Sequence, residues 1–336
     1  MRVLLVANTL PPTDISGVGE QVLQLAGGLE RAGHEVRVLG RRAHGIGAIK
    51  LLFPLTVLPR FVGELRRFRP DVVQVHESDG ALAALLARTL APAGGSPLLV
   101  SLLQVSYVEE MRAVRPLRVD GRVVGRPGWR EWVFKWVKAP IQVLLGRLSV
   151  DLADLVLAPS RRTADELERD YGAEGVAVLP NVLGGREVAP VEDPSVDGAE
   201  GFLLYVGRLR VRKGLEVLFD SLRRLDEEAP RTLIVGDGEH ADRLLRAAAA
   251  AGVSSRVEFL GRRSSGEVRY LMGRAGGLVV PSIYEGMPLV VLEAMESSLP
   301  VIACAVSGIP EVVEEGETGW LVPPEDAEAL AAAIAA

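Results

Sequence analysis

The sequence is poor in cysteine and lysine, and its N-terminus lacks a long apolar run. One cysteine among 336 residues, Cys304, excludes an internal disulfide framework and favours a reducing compartment. Cys304 stands in an apolar stretch, so we interpret it as a core residue rather than a nucleophile. At the N-terminus only residues 3–7 are uninterruptedly apolar, which is too short for a signal peptide or a membrane span. We therefore expect a cytoplasmic protein.

Charge is unevenly distributed along the chain, whose net charge is −6. There are 23 basic and 19 acidic residues through Pro180, against 15 and 25 afterwards. The acidic total and the lack of a recognition motif argue against nucleic-acid binding. Residues 41–69 are different, because they contain several basic residues and a single acidic one, Glu64. Apolar residues 51–58 lie between these basic residues in the sequence. A solvated helix face is the favoured interpretation, and contact with an anionic membrane surface, at the inner face of a membrane, is the alternative.

Apolar runs of strand length alternate with helical stretches along the whole chain. In the first half they are residues 3–6, 36–39, 72–75, 98–100, 155–157 and 176–179, and in the second half 202–206, 233–235, 257–260, 277–280, 301–303 and 320–322. Such alternation predicts parallel sheets with helices on both faces, an α/β fold. Between the two series the composition shifts to glycine, proline and acidic residues. We therefore predict domains at residues 1–182 and 200–336, joined by a linker at 183–199.

Two carboxylates, Glu285 and Glu293, are separated by seven residues after the predicted strand 277–280. Gly286 permits an unusual turn, and Pro288 suits the first position of a helix. A helix that begins at the end of a parallel strand directs free amides towards the usual ligand position. Each Glu taken alone is more simply a solvated surface residue. The apolar surroundings of Glu293, however, predict a buried carboxylate that needs a partner.

Glycines also follow the first predicted strand of each domain, at Gly17-Val18-Gly19 and at Gly207. In the second domain Arg208 and Lys213 flank the same strand end and could pair with a diphosphate. A dinucleotide fingerprint is the alternative, since Gly17-Val18-Gly19 and Gly236-Asp237-Gly238 each supply its first two glycines. Neither motif is completed, and we interpret both as turn glycines.

Taken together, these motifs resemble the retaining glycosyltransferases of the GT-B fold, specifically family 4. The similarity covers most of the chain, in family order: residues 10–12, 16–19 and 33–36, then 70–76, 158–160 and 179–181, and in the second domain 206–208, 212–214, 236–238, 285–293, 307–311 and 318–322. The resemblance implies two doubly wound Rossmann-like domains that face a cleft. It also implies metal-independent transfer of a hexose from a nucleotide diphosphate sugar, with retention of anomeric configuration and with no cofactor.

The resemblance also assigns roles to individual residues. Arg208 and Lys213 would neutralise the leaving diphosphate, Glu293 would bind the ribose, and Glu285 would contact the donor sugar beside the reacting carbon. Backbone groups near glycines and at the helix start would hold donor oxygens, and the base would lie near an arginine; these donor-binding residues are Gly17, Gly207, Gly286, Met287, Leu289 and Arg262. His76 and Gly19 are expected to contact a sugar or the acceptor, although His76 is equally well explained as a packed residue.

Three departures from the family pattern qualify these expectations. Leu103 stands where the family usually has a histidine that contacts the donor sugar, and Val182 follows Asn181 where a glycine is usual. The chain also ends within a predicted helix, so the family's C-terminal crossover helix is expected to be missing. The alternative function is therefore a catalytically weak or inactive nucleotide-sugar-binding protein. A sugar-nucleotide epimerase is a third interpretation, which would require additional acidic and histidine residues.

The acceptor is expected to be a glycan, a lipid or a small molecule. Trp129, Trp132 and Trp136 recur at helical spacing and predict one helix face. Packing of this face into the core is the favoured interpretation. Peripheral membrane contact or contact with a lipid acceptor is the alternative.

Overall fold

The computed structural model describes residues 1–10, 17–41, 49–90, 95–183, 189–193, 196 and 200–336. In chain order the strands are β1 Arg2–Val6, β2 Glu35–Leu39, β3 Val72–His76, β4 Leu98–Leu102, β5 Leu117–Val119, β6 Arg122–Gly125, β7 Leu155–Ala158, β8 Ala177–Val178, β9 Leu203–Val206, β10 Thr232–Val235, β11 Val257–Gly261, β12 Gly277–Val280, β13 Val301–Cys304 and β14 Gly319–Val322. The α-helices are α1 Gly17–Arg31, α2 Phe53–Thr56, α3 Leu58–Arg67, α4 Ala81–Thr89, α5 Tyr107–Ala113, α6 Trp129–Val133, α7 Ala139–Leu152, α8 Arg161–Tyr171, α9 Leu215–Leu225, α10 Ala241–Ala250, α11 Ser265–Met272, α12 Leu289–Glu296 and α13 Ala327–Ala335. None of these helices is long and apolar enough to cross a membrane.

The chain divides into two units. The first unit contains Met1–Glu110 and Trp136–Gly185, and the second contains Met111–Lys135 and Arg186–Ala336. The sequence-based division places residues 111–135 in the N-terminal domain, whereas in the structure they group with the second unit. The reason is local packing: Leu117 and Val119 of the β5–β6 hairpin are buried in one cluster with Leu218 and Leu222 of α9. The hairpin turns at Asp120-Gly121, and both residues of this turn have positive φ.

In the first unit the described strands form a parallel sheet in the order β2-β1-β3-β4-β7-β8. Alternate residues of β1 pack on opposite faces, as strand geometry requires. Leu4 and Val6 join a cluster with Phe53 and Phe61 from α2 and α3, while on the other face Leu5 packs with residues of α1. Helix α4 packs beside α7. The strand order reverses between β1 and β3.

In the second unit the described strands form a parallel sheet in the order β11-β10-β9-β12-β13-β14. One face packs against α9, α10 and α13, and the other against α11 and α12. Two helix starts are capped by side chains: Ser264 accepts a hydrogen bond from the Glu267 amide at 3.3 Å, and Asp326 accepts one from the Ala329 amide at 2.9 Å. The strand order reverses between β9 and β12, and the carboxyl ends of strands at such a reversal are where open α/β sheets usually bind ligands.

Three sequence predictions need correction, and one is confirmed. Trp129, Trp132 and Trp136 do not enter the core, because their exposures are 72%, 38% and 69%. Pro288 is the residue before the first turn of α12 rather than its first member, and Gly286 does not take a positive φ. The buried residues of the 129–152 stretch are instead mostly small or polar, with Val150 as the apolar exception: Glu131, Ala139, Gln142, Gly146, Ser149 and Val150. Cys304, as predicted, is a buried core residue.

Candidate functional site

The candidate site lies in the second unit, where β9 and β12 end side by side. Gly207 and Arg208 follow β9, and residues 281–288 lead from β12 into α12. A short 3₁₀ turn, Val211–Lys213, precedes α9. Two hydrogen bonds connect these loops: the Ile283 amide donates to the Arg212 carbonyl at 2.9 Å, and the Arg212 guanidinium donates to the Tyr284 carbonyl at 3.1 Å.

Glycines allow the loops at this strand end to pack backbone against backbone. A Cβ on Gly236, whose φ is +137°, would lie 1.8 Å from the Gly207 carbonyl oxygen. A Cβ on Gly214, whose φ is +70°, would lie 1.9 Å from the Pro281 carbonyl oxygen. No other residue type fits such positions without displacing the neighbouring chain. Gly236 and Gly214 therefore let the loops at this strand end pack closely against one another.

Lys213 and Glu285 form a nearly buried ion pair at the centre of the site. The Lys213 Nζ donates to Glu285 Oε1, and their side chains are 16% and 8% exposed. Ser282 Oγ donates to the same carboxylate oxygen at 2.6 Å, and the Glu285 amide donates to Ser307 Oγ at 3.1 Å. The pair joins the two loops across 72 positions of sequence. Its geometry fixes where one cation and one anion stand relative to the strand ends.

The surroundings of the pair favour the ionised form of Glu285. Burial alone would raise the pKa of Glu285, but the charges of Lys213 and Arg212 and hydrogen bonds from Lys213 and Ser282 hold that pKa below its usual value. Burial, assisted by the neighbouring charges of Arg212 and Arg208, lowers the pKa of Lys213 against the opposing attraction of Glu285. The local field of this site is therefore positive beyond what one carboxylate neutralises.

The other residues predicted to bind the donor differ in exposure and in their position relative to this pair. Arg208 is exposed in the loop after β9, and Glu293 is half-buried in the second turn of α12. Leu289 is the first residue of α12, and Met287 is buried just before it. Arg262 lies further away in the strand order, after β11, where its largely exposed side chain pairs with Asp237 at 3.5 Å.

The predicted residues of the first unit lie near the ends of β1 and β3. Gly17 is exposed at the start of α1; Gly19 is buried, and a Cβ there would lie 2.1 Å from the Thr9 carbonyl oxygen. His76 ends β3 and is buried, and burial lowers its pKa to about 4, so the ring is neutral. Its Nδ1 has no hydrogen-bond partner among the described residues. Leu103, after β4, is fully buried in a cluster with α7 and α8. Residues 11–16 of the opening motif lie outside the described part of the chain.

Sequence reasoning did not identify Glu77, which follows β3 at the reversal of strand order. Its φ of +61° is unusual for a residue with a side chain. Its carboxylate accepts hydrogen bonds from the Gln104 amide at 3.0 Å and the Tyr107 hydroxyl at 2.9 Å. Burial raises the pKa of Glu77 to about 7, against these hydrogen bonds. The polar run 76–79 after a buried strand is the signal that could have identified it.

A second buried polar group connects residues 111–135 to α9 and α10 within the second unit. The Glu131 carboxylate lies 2.9 Å from His240 Nε2 and accepts a hydrogen bond from the Gly128 amide. Glu216 pairs with Arg243 at 3.1 Å, and burial raises the pKa of Glu216 to about 7. Within the described residues, Glu131, His240 and the exposed Glu239 are close enough to share a cation, with ligand atoms within 4.8 Å of one another. Glu131 is already engaged as part of a helix cap.

Comparison with known proteins assigns both parts of the chain. Residues 15–183 match the family described as Glycosyltransferase Family 4, and residues 192–336 match Glycosyl transferases group 1. Glycogen synthase of Mycobacterium tuberculosis is 28% identical, over 99% of this chain and 85% of its own length. Sucrose-phosphate synthase from Thermosynechococcus elongatus shares the fold with a TM-score of 0.77 at 22% identity, covering 99% of this chain and 88% of that one. Anabaena HepE in complex with UDP has a TM-score of 0.68 at 20% identity, covering 99% and 89%.

Proposed function

Since the chain belongs to glycosyltransferase family 4 and has the predicted GT-B fold, we propose that it transfers a hexose from a nucleotide diphosphate sugar to an acceptor, with retention of anomeric configuration. The observation that carries this proposal is the position of Lys213, Arg208 and Glu285 at the point where strand order reverses in the second sheet. This is where open α/β sheets bind ligands. The acceptor is a glycan, a lipid-linked sugar or a small molecule.

Leaving-group stabilisation accounts for the chemistry. As the bond between the sugar and the diphosphate breaks, negative charge grows on the phosphate oxygens, and preorganised positive charge lowers the barrier. Lys213 has three N–H donors, of which Glu285 takes one, so the remaining donors can meet phosphate oxygens. Arg208 supplies a second, exposed cation from the same strand end. These two side chains perform the charge neutralisation for which other enzymes use a metal, so the proposal includes no metal.

Glu285 and Glu293 position the donor in this proposal. Glu285 is ionised and fixed by Ser282 and Lys213, so its remaining acceptor capacity can orient hydroxyls of the sugar beside the reacting carbon. Glu293, in the second turn of α12, faces the ribose hydroxyls. The Leu289 amide at the start of α12 can hold donor oxygens, whereas the Val291 amide already donates to the Pro288 carbonyl at 3.1 Å. Met287, Gly286 and Gly207 provide backbone contacts, and Arg262 borders the base.

Calorimetric titration with UDP, GDP and ADP tests the donor site. UDP is the first choice because HepE, which shares the fold, was solved with UDP-glucose. We expect Glu293→Ala to weaken binding of the preferred nucleotide by about tenfold or more, the loss of one charge-assisted pair of hydrogen bonds. Glu296→Ala, on the same helix but exposed and paired with Arg269, is the matched control. Equal affinity in both variants and the wild type would reject the assignment of Glu293.

Transfer and its stereochemistry are tested with the nucleotide sugar whose nucleotide binds. Proton NMR of the product is expected to show the anomeric configuration of the donor. We expect Arg208→Ala to reduce turnover by about a hundredfold, because it removes charge stabilisation that grows in the transition state. Arg231→Ala, at the amino end of β10 and paired with Glu258, is the control and should leave turnover unchanged. An inverted product would refute the retaining mechanism.

A catalytically weak or inactive nucleotide-sugar-binding protein is the second candidate. The observation that favours it is Leu103, which is fully buried where the family usually has a histidine that contacts the donor sugar. This function predicts nucleotide binding that depends on Glu293, with neither donor hydrolysis nor transfer to any acceptor. The titration and the NMR assay together separate the two functions.

A further inference from the structure

In the first unit, helical residues 136–138 and α7 form one stretch with large apolar residues on its exposed side and polar residues on its buried side. Its exposed residues are large and apolar: Trp136 at 69% exposure, Val137 at 57%, Ile141 at 52% and Leu144 at 68%. Their spacing places them on one side of the helix. The buried side instead carries small or polar residues, among them Gln142, Gly146 and Ser149. An ordinary surface helix has the opposite arrangement.

The buried side of α7 is held in place by specific contacts, so the helix is not simply rotated. Ser149 Oγ lies 2.8 Å from Ser101 Oγ of β4 in a buried hydrogen bond. A Cβ on Gly146 would lie 3.2 Å from the ring of Tyr171. This close approach leaves no room for Trp136 or Leu144 on the inner side. The apolar face is therefore built to point away from the sheet.

A second group of exposed apolar side chains lies on neighbouring elements of the same unit. Ile49, Leu51 and Leu55 are 49%, 67% and 59% exposed. Helix α2, which contains Leu55, and helix α7 both pack against residues 78–80 and therefore flank the segment that follows the carboxyl end of β3. Together the two groups of side chains form the apolar patch, defined by Ile49, Leu51, Leu55, Trp136, Val137, Ile141 and Leu144. Exposed apolar surface of this kind marks interaction sites.

The charges next to the patch select the partner. Residues 41–63 and 132–150 contain no Asp or Glu, although the chain as a whole carries a net charge of −6. They contain three of the chain's four lysines: Lys50 and Lys138 adjoin the patch residues Leu51 and Val137 in sequence, whereas Lys135, in the second unit, donates to the Val114 carbonyl at 2.8 Å. Lysine can rest its apolar stem on a hydrophobic surface while its ammonium group meets an anionic headgroup. Apolar side chains surrounded by cations complement the boundary between headgroups and acyl chains.

We infer that the apolar patch docks the first unit on the surface of an anionic lipid bilayer. Trp136, Ile141 and Leu144 enter the boundary between headgroups and acyl chains, and the neighbouring lysines contact the headgroups. The inference goes beyond glycosyl transfer, because the patch lies outside the donor-side residues of the second unit. It gives the exposed Trp136 a role that core packing, the interpretation favoured from the sequence, does not.

Vesicle sedimentation with the full chain tests the inference. The probes are vesicles of phosphatidylcholine alone and of phosphatidylcholine with one third phosphatidylglycerol. We expect the wild type to bind the anionic vesicles, and we expect the partition coefficient to fall about tenfold or more in Trp136→Ser/Leu144→Ser, which removes the two most exposed anchors. Lys50→Gln/Lys138→Gln should weaken binding to anionic vesicles and reduce its salt dependence.

Leu98→Ser/Leu155→Ser is the matched control. These leucines are 47% and 38% exposed, but they begin β4 and β7 and so lie at the amino edge of the same sheet. The control pair should bind vesicles as the wild type does. Nucleotide titration of every variant checks the second unit independently, so a loss of vesicle binding cannot be attributed to a failed donor site.

Three results would overturn the inference. The first is wild-type protein that stays in the supernatant with anionic vesicles, and the second is an equal loss of binding in the control pair. The third is light scattering that shows a lipid-free dimer which Trp136→Ser/Leu144→Ser converts to a monomer, without vesicle binding by either. That last result would identify the patch as an interface between two copies of the chain.

Discussion

Neutralising Lys213 gives the sharpest test of the buried ion pair. In Lys213→Met the aliphatic stem is kept and the charge is lost, so Glu285, which is 6% exposed, remains buried with Ser282 as its hydrogen-bond donor. Such a carboxylate either stays ionised without a partner cation or takes up a proton. The cost of protonation sets an upper limit. From an ordinary pKa of 4.5 to pH 7, at 1.36 kcal/mol per pKa unit, it is about 3.4 kcal/mol.

The loss of unfolding free energy expected in Lys213→Met depends on pH. In the wild type the depressed pKa of Glu285 contributes stability that is present above the unfolded value and is lost as pH falls through the folded value. In Lys213→Met the pKa of Glu285 is raised, so the variant gains stability as pH falls. The difference in unfolding free energy between wild type and variant should therefore shrink from about 3 kcal/mol at pH 7 to about 1 kcal/mol at pH 5.

Hydrogen exchange of the β9 and β12 amides measures this difference, because it reports opening of the second unit. The double variant Lys213→Met/Glu285→Gln leaves neither charge buried and should be within about 1 kcal/mol of the wild type. The matched control is the exposed pair Arg231 and Glu258, whose replacement by Met and Gln should change stability by less than about 1 kcal/mol. A double variant as unstable as the sum of the two single variants, or a loss that does not depend on pH, would refute the reasoning.

Three further outcomes test other parts of the second unit. Gly236→Ala should lower the unfolding free energy by more than about 2 kcal/mol, as measured by urea unfolding, whereas Gly252→Ala, at a φ of +76° with nothing within 4 Å, should cost about 1 kcal/mol. The contribution of Glu216 to stability should fall as pH rises from about 4.5 to 7, because the folded state keeps a proton on Glu216 that the unfolded state releases; Glu216→Gln should remove this contribution of up to about 3 kcal/mol, and a difference between wild type and variant that does not change with pH would contradict it. Burial raises the pKa of the Cys304 thiol to about 12, so the native protein should react with a thiol reagent at least about a hundredfold more slowly than the unfolded chain does, and equal rates would show that the thiol is accessible.

Local pattern was sufficient to predict the architecture. Each apolar run of strand length became a parallel strand, because alternating βα units can bury such runs only in a sheet covered on both faces. The same logic located Arg208, Lys213 and Glu285 at the carboxyl ends of strands. Ser282 and Ser307, which hold the Glu285 segment, were not identified, because single serines in loops carry no periodic signal.

Long-range packing decided what the pattern left open. The spacing of Trp129, Trp132 and Trp136 predicted one helix face but not its environment, which depends on how closely Gly146 and Ser149 approach β4 and α8. The assignment of residues 111–135 to the second unit depends on the fit of the β5–β6 hairpin to α9. Both outcomes result from contacts between residues far apart in the chain, which one sequence does not reveal.

By itself the sequence determined that this protein has two parallel α/β sheets and a cationic strand end beside two glutamates, because period and turn chemistry act locally. Only the tertiary structure decided that Lys213 and Glu285, which the sequence suggested would each meet a ligand, also meet each other. It likewise decided that the tryptophan face stands outside the core. The physical reason is the same in both cases: burial and charge pairing are properties of the space between elements, and the folded packing alone defines that space.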